Sequence, residues 1–222
     1  MQLPPDVLLQ QRMRRWAGYL VYIIGAIAVL VLIGWNFDIP ILKSVSSNTV
    51  AMNPTSAILL ILASLSFIWR TRPKGSSLTA TAGYAFAILV ILVSFIVLIN
   101  FVIDTGFRPD ELLFTGKENN RPNHMAPNTA LCFLLTGVGI LLLHYENKSG
   151  RMAAHYLALI IGSLSLLSLL GYLYQVKEFY GVFNYLAMAL NTAICFFLFA
   201  AAILFSNPDA GLMKEFTTSL NG

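Results

Sequence analysis

Charge is scarce in this chain. Asp, Glu, Lys and Arg make up 11% of its 222 residues, against 57% hydrophobic ones, whereas an ordinary soluble domain carries roughly a quarter charged residues. With a mean hydropathy of +0.73, such a composition excludes an ordinary soluble domain and indicates an integral membrane protein. The apolar stretches hold no carboxylate pair and no basic residue of the kind that marks an ion or proton route, which disfavours a pump or secondary transporter. Cysteine is equally sparse. Cys132 and Cys195 lie in apolar runs without CxxC spacing or neighbouring ligands, which argues against a disulfide framework or a zinc site and for small packing residues. There is no phosphate-binding glycine loop, kinase catalytic motif or nucleophile elbow, so no catalytic residue is assigned and no enzyme is expected. No basic stripe with interleaved aromatics points to nucleic acid. His144 and His155, at the ends of consecutive apolar runs, lack the further ligands that a haem or metal needs, and no residue set names a cofactor.

Long apolar runs are what the chain does have. They fall at about Trp16 to Ile33, Thr55 to Trp69, Leu78 to Ile103, Met125 to Leu143, Ala153 to Tyr174 and Leu186 to Phe205. A bilayer core of roughly 30 Å takes roughly 20 helical residues, so six crossings are expected. The second run is short, and its helix is expected to begin near Met52. The Arg12, Arg14 and Arg15 cluster before the first run and the Arg70-Thr71-Arg72-Pro73-Lys74 turn after the second place both termini in the cytoplasm. The first run is too long for a signal-peptide core and has no small-residue cleavage site, so it is expected to stay as an anchor. The expectation is a single six-helix domain of three hairpins, about 16–69, 78–144 and 153–205, with a cytoplasmic tail over 206–222.

A repeat supports that division. Met52-Asn53-Pro54-Thr55-Ser56-Ala57, Met125-Ala126-Pro127-Asn128-Thr129-Ala130 and Met188-Ala189-Leu190-Asn191-Thr192-Ala193 each open an even-numbered run. The preceding runs also match where they end, in Ile33-Gly34-Trp35-Asn36-Phe37 and Leu170-Gly171-Tyr172-Leu173-Tyr174, with Asn100-Phe101 as a looser third copy. Residues three and four apart share a helix face, so each Met-led segment forms a polar notch: Met52 with Thr55 and Ser56, Met125 with Asn128 and Thr129, Met188 with Asn191 and Thr192. Asn53 is a natural N-cap, and Pro54 and Pro127 suit a first turn.

Two readings of the notches stand at this point. They knit helices together, or they line an outward-opening pocket for an apolar small molecule, with methionines as its adaptable wall. Trp35 and Tyr172 likewise serve either as interfacial anchors or as ligand-facing aromatics. In the loop after the third run, Pro109-Asp110-Glu111 suits the first turn of a short helix, with Leu112, Leu113 and Phe114 on the membrane surface or over a cavity. His124, beside Met125, reads as a pH-responsive or hydrogen-bonding residue at the outer rim.

Asp110-Glu111-Leu112-Leu113-Phe114, the segment from Met125 to Leu135, Gly171-Tyr172-Leu173-Tyr174 and the segment from Met188 to Ala193 together resemble a bacterial multi-pass membrane sensor module. Such modules stand ahead of PAS, histidine kinase or diguanylate cyclase domains. The tail from Asn207 to Met213 resembles the junction where those proteins leave the membrane. The resemblance implies a bacterial inner membrane location, a non-catalytic role in signal transduction and a cytoplasmic effector. Asn191 departs from the histidine often found there, so no role of that histidine carries over. No phosphoacceptor helix or cyclase signature follows Gly222, leaving an input module that works through an effector or a partner. The alternative is an accessory subunit of a larger membrane complex, with small residues at Ser163 to Ser168 and Ala200 to Ala202 as contact surfaces.

Overall fold

The computed structural model describes residues 5–45, 49–72, 77–103, 107–113, 124–148, 150, 152–175 and 187–214. Among them the chain is helical: α1 (Pro5–Asn36), the single turn α2 (Pro40–Lys43), α3 (Pro54–Thr71), α4 (Ser77–Val102), α5 (Pro127–Leu141), α6 (Ala153–Tyr174) and α7 (Leu190–Ser206). A 3-10 turn at Pro109–Glu111 stands where the sequence suggests a short helix. Leu112 and Leu113 beside it are 64% and 38% exposed, and Phe114 lies outside the described residues.

Four helices, α1, α3, α4 and α6, are long and apolar enough to cross a membrane. Six were expected. The other two apolar helices, α5 and α7, have 15 and 17 residues, about 22–26 Å at 1.5 Å per residue. Their position accounts for this. The three helices α3, α5 and α7 pack against one another in the centre, and each of α1, α4 and α6 lies outside, between two of them. A central helix is sheathed by protein and need not match a hydrocarbon thickness by itself. The apolar stretch of α3 is 56% buried, against 33% in α1, 22% in α4 and 28% in α6.

The centre is filled by large side chains from equivalent repeat positions. Leu60, Phe133 and Phe196 correspond and are fully buried, and Phe133 meets Phe196 edge to face with ring centres 4.8 Å apart. Phe199 of α7 packs in the same way on Phe67 of α3 at 5.9 Å. Cys132 and Cys195 are fully buried and free, as the packing reading expects. Of the small residues offered above as contact surfaces for another subunit, Ser165, Ser168, Ala200 and Ala202 are buried within the bundle, whereas Ser163 is exposed. Gly162 of α6 packs against Ala200 of α7.

All three central helices run the same way, so their first turns lie at one end of the bundle and their last turns at the other. Arg14 of α1 and Asp209 beyond α7 form an ion pair of 2.6 Å at the second end. We refer to these as the notch end and the arginine end.

Candidate functional site

The three Met-led segments converge. Ala51, His124 and Ala187, the residues before each methionine, Asn53, Ala126 and Ala189, the residues after it, and Ser56, Thr129 and Thr192, one turn into each central helix, all line one cavity. Its volume is about 10 Å³, at the lower limit for a single water. Of the three methionines only Met125 reaches its wall. Met52 and Met188 are fully buried in the core, so the adaptable methionine lining expected from sequence is not formed.

Each helix start needs partners for amides that no earlier turn can satisfy. Asn53 caps α3 as expected, its Oδ1 accepting from Thr55 N at 2.8 Å and Ser56 N at 3.3 Å. In α5 and α7 the cap positions are alanines. There Asn128 Oδ1 accepts from Thr129 N at 3.0 Å and Asn191 Oδ1 from Thr192 N at 3.1 Å. The notch asparagines thus satisfy first-turn donors in a medium that offers few alternatives.

Their remaining polar groups reach across to loops. Asn191 Nδ2 donates to the Lys43 carbonyl at 3.2 Å, tying α7 to the connection after α1. Asn53 Nδ2 donates to the Asp110 carbonyl at 3.0 Å, and Thr55 Oγ1 to the Pro109 carbonyl at 3.2 Å, tying α3 to the loop after α4. Thr55 and Asn191 occupy the same repeat position, so the same position catches a loop in the first and third copies.

The paired aromatics are struts. Trp35 is 1% exposed and donates from Nε1 to the Met52 carbonyl at 2.9 Å. Tyr172 donates its hydroxyl to the Met188 carbonyl at 2.8 Å. The same bond therefore joins the end of an outer helix to the start of the next central helix in the first and third copies. Burial and an inward N–H turn Trp35 to the core rather than to lipid. Lys43, 9% exposed, stands 4.6 Å above its ring and pairs with Asp38. Gly34 makes room for this turn, since a Cβ there would lie 2.6 Å from Leu42 Cβ.

The second copy replaces the strut with an acid. Asp110 is 5% exposed and its Oδ2 accepts from Met125 N at 3.0 Å. His124 Nδ1 lies 3.0 Å from Glu111 Oε1 and 3.8 Å from Asp110 Oδ2, and Glu111 also faces Arg108 Nε at 3.4 Å. His124 thus stands between the cavity wall and two carboxylates. Asp110 was not singled out from sequence as a site residue. The available signal was an acid after proline between two apolar runs.

His144 and His155 stand in different settings. His144 is exposed, with Nε2 2.8 Å from the Arg70 carbonyl. His155 is fully buried, in a setting so tight that a Cβ on Gly211 would stand 2.7 Å from its Nδ1. Among the described residues no group of three His, Cys, Asp or Glu side chains could hold a metal ion. Compared with family models, with curated proteins and with solved structures, the chain matches none.

Proposed function

We propose that this chain is a non-catalytic membrane sensory module of six crossings, built as three hairpin repeats with the notch end outward and both termini cytoplasmic. Repacking at the notch end would be carried by α3, α5 and α7 to the tail after α7, and from there to a cytoplasmic effector. The convergence of equivalent residues from all three repeats on one cavity is the observation that carries this reading. A change there bears on three rigid helices at once. As packed, the cavity admits about one water, so a larger apolar ligand acts by favouring an opened packing over the closed one. The arrangement of basic residues, with Arg14, Arg70 and Arg72 at the arginine end, supports the orientation.

The test uses full-length protein in lipid nanodiscs with spin labels at Tyr145→Cys and Lys214→Cys, beyond α5 and α7. Asn191→Leu, which removes the loop tie and the amide cap, is expected to shift or broaden the distance distribution between the labels. An unchanged distribution in a folded, inserted variant would remove the coupling on which the proposal depends.

An accessory-subunit reading is favoured by one feature. A groove of about 550 Å³ runs between α1 and α3, lined by Gly25, Ala26 and Ser64 among apolar side chains, and the buried Ser64 hydroxyl has no partner there. A stoichiometric protein retained through mild-detergent purification, and lost on Ser64→Phe, would favour it over the sensory module.

A further inference from the structure

The arginine end holds a second cavity, unlike the first in size and chemistry. It measures about 410 Å³ and is lined by Arg14, Arg70 and Arg72 with Thr71, His144 and Asn207, and on its apolar side by Ala17, Gly18 and Phe67. Volumes of this order accommodate small organic ligands.

Arg70 and Arg72, at the end of α3, have a plain structural explanation, whereas Arg14 lies in the early part of α1. The C-terminal end of a helix carries about half a negative charge, and cations there are favourable. The hydrogen bonds show how far that explanation reaches. The Leu143 carbonyl at the end of α5 is satisfied by Asn207 Nδ2 at 2.8 Å, and the Arg70 carbonyl faces His144 Nε2 at 2.8 Å. Neither carbonyl is met by a guanidinium. Arg70 makes one long bond, from Nη2 to the Leu141 carbonyl at 3.4 Å, stacks over Tyr84 at 3.9 Å, and keeps Nε buried without a partner. Arg14 uses Nη2 on Asp209. Arg72 makes no ion pair among the described residues. Each guanidinium has five N–H donors; Arg14 and Arg72 are exposed at the cavity, while the buried Arg70 Nε lacks a partner, which is costly.

We infer that this cavity binds a phosphate-bearing molecule, its phosphate oxygens taken by Arg14, Arg70 and Arg72 and its adjoining carbon skeleton resting on Ala17, Gly18 and Phe67. Guanidinium forks match phosphate geometry in bidentate fashion, and several of them around one space suit an anion with several acceptor oxygens. Two sources supply that chemistry at a membrane face: the headgroup of an anionic phospholipid and a soluble phosphate.

The experiment uses full-length protein, delipidated in neutral detergent and titrated with phosphatidylglycerol in mixed micelles or with inorganic phosphate, binding being read by native mass spectrometry and thermal shift. Arg14→Gln/Arg72→Gln is compared with Arg12→Gln/Lys148→Gln, which removes the same charge away from the cavity. One saturable site, weakened at least about tenfold in the first variant and unchanged in the second, is expected. Saturation by phosphatidylglycerol alone assigns the lipid headgroup, and saturation or competition by inorganic phosphate assigns a soluble phosphate. Absence of saturable binding by either probe, or equal loss in both variants, overturns the inference. Helical circular dichroism of both variants, whose altered residues are exposed, confirms that binding rather than folding is read.

Discussion

The two ends of α3, α5 and α7 are made from the same helices and treated in opposite ways. At the notch end, among the described residues, asparagines cap first turns, loops are caught by Asn53, Thr55 and Asn191, and about 10 Å³ is left over. At the arginine end about 410 Å³ stays open, and strong donors face it with few partners. Side-chain polarity alone therefore does not mark a binding cavity in a helical bundle. What separates the two ends is whether backbone groups of the same chain already take up the donors.

The largest effect expected from breaking this contrast lies at the notch end. Asn53→Ala removes two amide caps and the tie to Asp110, and should cost up to about 2 kcal/mol, read as thermal or denaturant unfolding in detergent. At the arginine end a backbone constraint should rank second. Gly211 has φ +55° and no room for a Cβ beside His155 and Met152, so Gly211→Ala should cost about 1 kcal/mol or more and loosen the tail from α6, visible as faster proteolysis there. Trp35→Phe and Tyr172→Phe each remove one strut and should each cost about 1 kcal/mol, with the two effects additive because the struts belong to separate copies. Arg72→Gln, by contrast, should alter stability by less than about 0.5 kcal/mol while weakening phosphate binding, which separates the open end from the closed one.

The smallest effect concerns pH. Burial would raise the Asp209 carboxyl, but the hydrogen bond and charge of Arg14 outweigh it and hold the group below the usual carboxylate range. A lowered pKa contributes stability that is present above the unfolded value and lost as pH falls through the folded one. Acidification below the ordinary carboxylate range should therefore release the tail from α1, and Asp209→Asn should remove that step. Both groups are half exposed, so the effect is modest and salt-sensitive.

Much of this was legible in the sequence, and particular residues show where legibility stopped. The helical membrane character follows from the apolar runs, and the N-cap at Asn53 from a residue whose partners are its own neighbours. Asn191 and Thr55 were legible as polar residues needing partners, but those partners are backbone carbonyls of Lys43 and Pro109, which leave no mark in the side-chain pattern. Trp35 was read by depth alone, and depth does not tell which way a ring faces. The convergence of Ser56, Thr129 and Thr192 needed the packing of all three central helices, which no local pattern encodes. Arg70 and Arg72 served only as markers of orientation until the ends of α1, α3, α5 and α7 were seen to enclose a cavity.

The most direct measurement is hydrogen exchange at single-amide resolution in lipid nanodiscs, aimed at Thr55, Ser56, Thr129 and Thr192. These first-turn amides have no partner within their own helix and are held by Asn53, Asn128 and Asn191. A closed notch end predicts slow exchange at all four. Rapid exchange at the four notch amides would contradict the account, because the asparagine caps and the loops they hold would then be open to water.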